Sequence, residues 1–279
     1  MLPQRIKSLL IVLFLLVFMA ACSVMQPTGS SPKATGPSPE ATAPLPKSDK
    51  VLRVGVSTNS PPLIYREAGE IVGLEADFAR ELGKYLDKSV DFVELKFQNQ
   101  IPALLEDRID IIMSGLSVTK MREVQISFSD PYFRTGQMAL VRSDNKSIYP
   151  SNYYSILGMS LLLKIGVVKG TTGETFVRRN FGSAKEIRAF ETAQAAVEAL
   201  LAGKMDMVVH DAPMMLVQAA RNQSRGLSPL PTLLTEEYLA WGIRKGDVEL
   251  RERVNKFVTE IKIDGRIVKM VKRWIPYNK

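Results

Sequence analysis

From residue 51 onward the chain alternates between two hydrophobic periods. Residues 51–56 (VLRVGV) are a short apolar run that stops at a Ser-, Asn- and Pro-rich loop, 57–62, the pattern of a buried strand followed by a turn. Residues 74–86 place Leu74, Phe78, Leu82 and Tyr85 among charges at helical spacing. Strands are expected at 90–95 and 109–113, with a helix over 101–108 between them. The alternation resumes past Val141, with strands at 164–168, 187–190 and 205–209, the last running into His210 and Asp211. Helices are expected from about Glu174, over 192–201, and from Asp211 to Ala220. A strand at 238–244 and helices at 250–263 and 267–274 close the pattern. Such alternation predicts parallel α/β sheets. The last strand reads as a return to the first unit, which predicts two α/β lobes with the second inserted in the first: 51–133 with 240–279, and 134–239.

The first 50 residues do not share this pattern. Arg5 and Lys7 precede an apolar core of 11 residues, Leu9 to Met19, the form of a signal peptide over 1–21. Met19-Ala20-Ala21-Cys22 resembles a bacterial lipobox, which implies an acylated (palmitate-bearing) Cys22 as the mature N-terminus; a plain secretory signal is the alternative. Cys22 is the only cysteine, so an intrachain disulfide and a Cys-rich metal site are excluded. Residues 22–50 hold six of the 16 prolines among Ser, Thr, Gly and Ala, a composition that cannot bury enough apolar surface to fold. As a tether it spans roughly 30 to 80 Å.

Charge changes the picture little. The formal net charge is +8, but basic residues are interleaved with acids, as in Arg251-Glu252-Arg253, and no basic helix carries interleaved aromatics, which argues against nucleic acid. The densest basic stretch, 262–272, reads as a solvated helix face. Lys169-Gly170-Thr171-Thr172-Gly173 lacks the G-K-[ST] ending of a phosphate loop, and no cofactor or metal motif is present.

The candidate chemistry lies where predicted strands end. Ser114, Gly115 and Ser117 follow the apolar run 109–113, where ligands of open α/β sheets gather. Arg122, five residues past Ser117, can fork onto a carboxylate, or else pair with Glu123 or Asp130 at the surface. Residues 114–133 (SGLSVTKMREVQISFSDPYF) are similar to the signature region of the family 3 extracellular solute-binding proteins, the amino acid receptors of ABC importers. The likeness extends over about 51–277. It includes GLEADFAREL (73–82), IPALLEDRIDIIM (101–113), GVVKGTTGE (166–174), DMVVHDAP (206–213) and WGIRKGDVEL (241–250), in family order.

The resemblance implies a type II periplasmic binding protein fold whose two lobes close on an amino acid. It implies that Arg122 and the N–H groups of Ser117 and Gly173 hold the α-carboxylate. Asp211, with the Gly115 carbonyl and the Ser117 hydroxyl, would take the α-ammonium. Ser114 would belong to the same turn, Phe97 would wall the pocket, and Lys169 and His210 would face the ligand side chain. Other roles stay open: Asp211 as a helix cap, His210 as a structural imidazole, Lys169 as a solvated loop residue, Phe97 as ordinary core. Family members of glutamine-like specificity carry an acid and an aromatic near Ser57 and Ser60; here both are serine. Lys169 is therefore expected to lack a carboxylate partner and to favour a glutamine- or glutamate-like ligand over lysine or arginine. Residues 152–163 are longer and more apolar than the usual linker, and are expected either to pack on the second lobe or to form a contact surface.

The expected protein is a monomeric, membrane-anchored lipoprotein facing the periplasm or cell exterior. It delivers a polar amino acid to an ABC permease, binds no nucleic acid and catalyses nothing. The alternatives are a cyclohexadienyl dehydratase-like enzyme, for which Glu174 is the nearest acid, and a ligand-sensing lipoprotein acting through a partner. A fused kinase or lytic transglycosylase is not expected, because the chain ends at Lys279.

Overall fold

The computed structural model describes residues 49–275; the expected signal peptide, Cys22 and most of the expected tether lie outside the described residues. Two five-stranded sheets organise the rest. In the first the order is Ser89–Glu94, Val51–Val56, Ile111–Ile112, Gly242–Ile243, Ser127–Phe128; the first three strands are parallel and the last two run antiparallel to their neighbours. In the second the order is Glu186–Phe190, Lys164–Val168, Met207–Asp211, Gln137–Arg142, Leu227–Leu233, again three parallel strands followed by antiparallel ones. The chain passes between the sheets twice, and the two passages, Phe133–Thr135 and Glu237–Leu239, pair with each other as an antiparallel ribbon. This is a two-lobed type II binding-protein fold with the second lobe inserted into the first.

Helices cover both faces of each sheet, as parallel strands require. On the first, Leu74–Leu86, Val248–Ile263 and Arg266–Trp274 bury Phe78, Phe257, Ile261 and Val271 against Val54 and Ile111. Trp241 stacks on Phe257 and on Tyr132 and meets Phe78 edge-on. Each such fully buried side chain contributes about 2–3 kcal/mol by area removed from water. On the second sheet, Ala193–Leu201 and Ala212–Arg221 pack one face, while Val177 and Phe181 pack the other with Ile156 and Leu163.

Three features depart from the sequence reading. The strand expected at 238–244 is two strands: Glu237–Leu239 belongs to the connecting ribbon and Gly242–Ile243 to the first sheet. Leu227–Leu233 pairs despite Pro229 and Pro231, because it is an edge strand with its register broken between Pro229 and Leu233. Gln137–Arg142 is almost wholly buried and lacks the alternation that marks a half-exposed strand. Residues 152–163 fold as the helix Tyr153–Gly158 and a 3-10 turn, Ser160–Leu162. Ile156 packs into the second lobe while Tyr154, Leu161 and Leu162 face solvent. Among the described residues no helix is long and apolar enough to cross a membrane.

Candidate functional site

The carboxyl ends of strands from both sheets converge on one cavity. Ser57 follows Val51–Val56, the turn 114–117 follows Ile111–Ile112, Thr171 and Thr172 follow Lys164–Val168, Glu191 follows Glu186–Phe190, and His210 and Asp211 end their own strand. The lobes touch over it. Arg122 Nη2 donates to the Gly170 carbonyl at 3.2 Å, Gln98 Nε2 reaches Glu191 at 3.5 Å, and the Arg221 guanidinium lies 5.6 Å from the Tyr65 ring centre. The cavity between the lobes is about 30 Å³, room for a water or two. Admission of anything larger requires the lobes to part.

On the first lobe, Thr119 caps the short helix Lys120–Glu123 and so sets the direction of Arg122. Nη1 of Arg122 donates to the Ser117 carbonyl at 2.8 Å, and its guanidinium lies 5.5 Å from the centre of the Phe97 ring. No carboxylate lies within ion-pair distance of Arg122 among the described residues, so the surface pairing with Glu123 or Asp130 is absent. Burial pulls its pKa down, and the fields of Asp211 and Glu237 oppose this. Phe97 is both pocket wall and core, since it packs on the cluster of Leu104 and Ile109. Gly115 turns at φ +68°, where a Cβ would sit 2.6 Å from Leu63, so glycine is required here. Ser114 lines the cavity, but its Oγ accepts the Ser57 N–H at 2.9 Å and the Gln100 amide at 3.0 Å; it holds the loop.

On the second lobe, Asp211 is buried and makes no side-chain bond to the helix Ala212–Arg221, so it does not act as that helix's side-chain cap. Its Oδ1 accepts from Gln137 Nε2 at 2.5 Å. Burial raises its pKa; His210 opposes the rise, Glu237 adds to it, and Gln137 and Arg122 oppose it. His210 Nδ1 accepts the Asp211 N–H at 2.6 Å, which leaves Nε2 to carry the ring N–H. Thr171 caps the helix Thr172–Asn180 by accepting from the Glu174 N–H, leaving the first-turn N–H groups of Thr172 and Gly173 without intrahelical acceptors.

Two expected residues are placed otherwise. Lys169 is half exposed, does not line the cavity, and pairs with Glu191, so the expectation that it lacks a carboxylate partner is corrected. Gly173 lies behind the cavity wall; a Cβ there would meet Gln137 Oε1 at 2.5 Å. Glu174 donates nothing to the cavity: Oε2 accepts the Gly170 N–H and Oε1 pairs with Arg178. Sequence reasoning missed Glu191, Thr172, Gln137 and Glu237. Glu191 stands one residue past a strand end, the signal that found Ser114, Gly115 and Ser117. Gln137 and Glu237 carry no such signal, because they meet only through the ribbon.

The chain belongs to the bacterial extracellular solute-binding proteins, family 3, whose model matches residues 52–277. It is 28% identical over 278 residues to the ABC transporter glutamine-binding protein GlnH of Bacillus subtilis (strain 168), covering 98% of this chain and 97% of that one. It is 30% identical over 241 residues to the histidine-binding periplasmic protein of Salmonella typhimurium, covering 81% and 88%. Among solved structures, an ancestral arginine-binding protein bound to arginine is similar at TM-score 0.74 and 32% identity, covering 81% of this chain and 98% of that one. An ancestral amino acid-binding protein described as a precursor of cyclohexadienyl dehydratase is similar at TM-score 0.73 and 31% identity, covering 81% and 95%.

Proposed function

We propose that this chain is an extracytoplasmic lipoprotein that captures a polar amino acid between its lobes and presents it to the membrane permease of an ABC importer. The observation that carries this reading is one pair of groups. Arg122 on one lobe and Asp211 on the other line a single cavity, and neither has a side chain of opposite fixed charge within ion-pair distance among the described residues. Desolvated charges of this kind need partners. An α-amino acid supplies both, its carboxylate for Arg122 with the Ser117 N–H group, and its ammonium for Asp211 with the Gly115 carbonyl and Ser117 hydroxyl.

The far end of the cavity argues for an uncharged polar side chain. Ser57, Asn59 and Ser60 are neutral, His210 offers Nε2–H, and Glu191 is neutralised by Lys169. Glutamine fits this better than glutamate, arginine or lysine. A dehydratase needs an acid over the substrate's leaving hydroxyl; Glu174, engaged elsewhere, does not supply it, and the chain is read as non-catalytic. The pairing of Phe133–Thr135 with Glu237–Leu239 supports domain boundaries that make 51–133 and 240–279 one lobe and 134–239 the other.

Calorimetry with glutamine, glutamate, histidine and arginine tests the ligand. Glutamine should bind most tightly, and arginine binding without a glutamine response would overturn the specificity. For the anchor, Cys22→Ser should move the mature protein from the detergent phase to the aqueous phase; unmodified Cys22 in native protein would refute acylation.

A further inference from the structure

The Gln137 amide is wholly buried and unevenly satisfied. Its Nε2 faces three acceptors, Asp211 Oδ1 at 2.5 Å, Glu237 Oε1 at 3.0 Å and Thr172 Oγ1 at 3.1 Å, while its Oε1 has no partner. Reversing the amide would turn oxygen toward two carboxylates, so the orientation is set by what Nε2 touches. Glu237 is the centre of this group. It lies in the connecting ribbon, its Oε2 accepts from Thr172 Oγ1 at 2.8 Å, and its Oε1 accepts from Thr235 Oγ1 at 2.9 Å as well as from Gln137. Thr235 Oγ1 in turn accepts the Gln137 backbone N–H at 2.9 Å.

Thr172 opens the helix whose terminus faces the cavity, and Asp211 is the acid of the same lobe. Both are therefore fastened to a strand through which the lobes are joined. We propose that Glu237 is a positioning residue that locks Asp211 and the Thr172–Gly173 helix terminus to the connecting ribbon as one unit, so that ribbon geometry sets ligand affinity. This rests on the amino acid-binding reading above.

The second consequence is electrostatic. The groups facing Asp211 are His210 on its own strand, Glu237 from the ribbon, Arg122 from the first lobe, and Tyr132 beside the ribbon. An ammonium ligand needs Asp211 ionised. Glu237 disfavours that ionised form and so brings the acid loss of binding to higher pH.

The test is calorimetry of glutamine binding from pH 3.5 to 8 on wild type, Glu237→Gln and Thr172→Val, with urea unfolding of each. Glu237→Gln should bind about tenfold more weakly at pH 7, the scale of one lost charge-assisted hydrogen bond. Its acid limb should move to lower pH, which a merely structural lesion would not do. Thr172→Val, nearly isosteric, should weaken binding about threefold to tenfold with the acid limb in place, and it keeps the idea testable if Glu237→Gln does not fold. Wild-type affinity and acid limb in a folded Glu237→Gln, or wild-type affinity in Thr172→Val, would overturn the role of Glu237 while leaving the ligand reading intact. A wild type that binds none of the twenty amino acids would overturn both.

Discussion

Glu75 Oε1 accepts the backbone N–H of Gly115 at 2.6 Å, from a position with no solvent exposure. Its other partners are also neutral donors, the Tyr132 hydroxyl and Trp241 Nε1. A buried carboxylate thus pins the cavity turn to the core of the first lobe. Tyr132 stands just before one strand of the connecting ribbon and Trp241 just after the other.

Replacing Glu75 therefore tests the anchoring of this turn. Burial raises its carboxyl above the ordinary 4.5, with the bonds from Tyr132, Gly115 and Trp241 pulling the other way. A raised folded value means that this group's contribution is full below about 4.5 and is lost as pH rises through the folded value. Glu75→Gln puts an amide donor against donors and should cost about 1–3 kcal/mol. Urea unfolding between pH 4 and 8 should show the wild type losing its advantage over Glu75→Gln as pH rises. A constant gap would mean that the carboxyl does not titrate in this window.

Arg122→Ala should weaken ligand binding by roughly 3 kcal/mol, because it strands the ligand carboxylate and removes the cation from the Phe97 face. Arg122→Lys should recover only part, since an ammonium lacks the fork. Calorimetry reads the loss, and an unchanged melting temperature in the unliganded variants would separate it from unfolding. Near-normal affinity in Arg122→Ala would reject the assignment.

The Lys169–Glu191 pair sets the charge of the far end of the cavity. It is half exposed, so solvent screens it and it contributes little to stability. Lys169→Ala leaves Glu191 with Lys96 at 3.9 Å as its remaining cation. The cavity end becomes acidic, and arginine should gain several-fold on glutamine. A ratio unmoved by Lys169→Ala would show that Glu191 is not read by the ligand.

Asp110 provides an acid-stability prediction of opposite sign to Glu75. Burial would raise its carboxyl, but bonds from the Arg53 side chain and backbone, with Arg244 beyond, hold it below the ordinary 3.8. A depressed folded value means stability that is present above about 3.8 and lost as pH falls through the folded value. Asp110→Asn should cost about 2–3 kcal/mol at pH 7, and the difference from wild type should vanish toward pH 2. Equal denaturation midpoints at pH 7 would show that the cluster contributes nothing.

Much of the fold was legible in local pattern. Helical spacing at Leu74, Phe78 and Leu82 and the apolar runs ending at Val56, Met113 and Val168 required no tertiary information, because burial on one face leaves a period in the sequence. The strand-end rule also reached Ser114, Gly115 and Ser117, since residues past parallel strands face the same crevice, while the role of Asp211 came from the family resemblance. The edge strand with Pro229 and Pro231 was not legible, because only its place at the sheet edge makes missing N–H donors harmless.

Charge partners were decided by tertiary structure alone. Lys169 and Glu191 come from adjacent parallel strands, and Glu75, Gly115, Tyr132 and Trp241 meet only because two chain passages share one ribbon. The sequence by itself determined which segments are strands and helices and which residue types stand at their ends, because those follow from local spacing and burial. The closed chain decided which of those charges are neutralised and which are left facing the cavity, because electrostatic pairing depends on distance through space, and distance along the chain does not encode it.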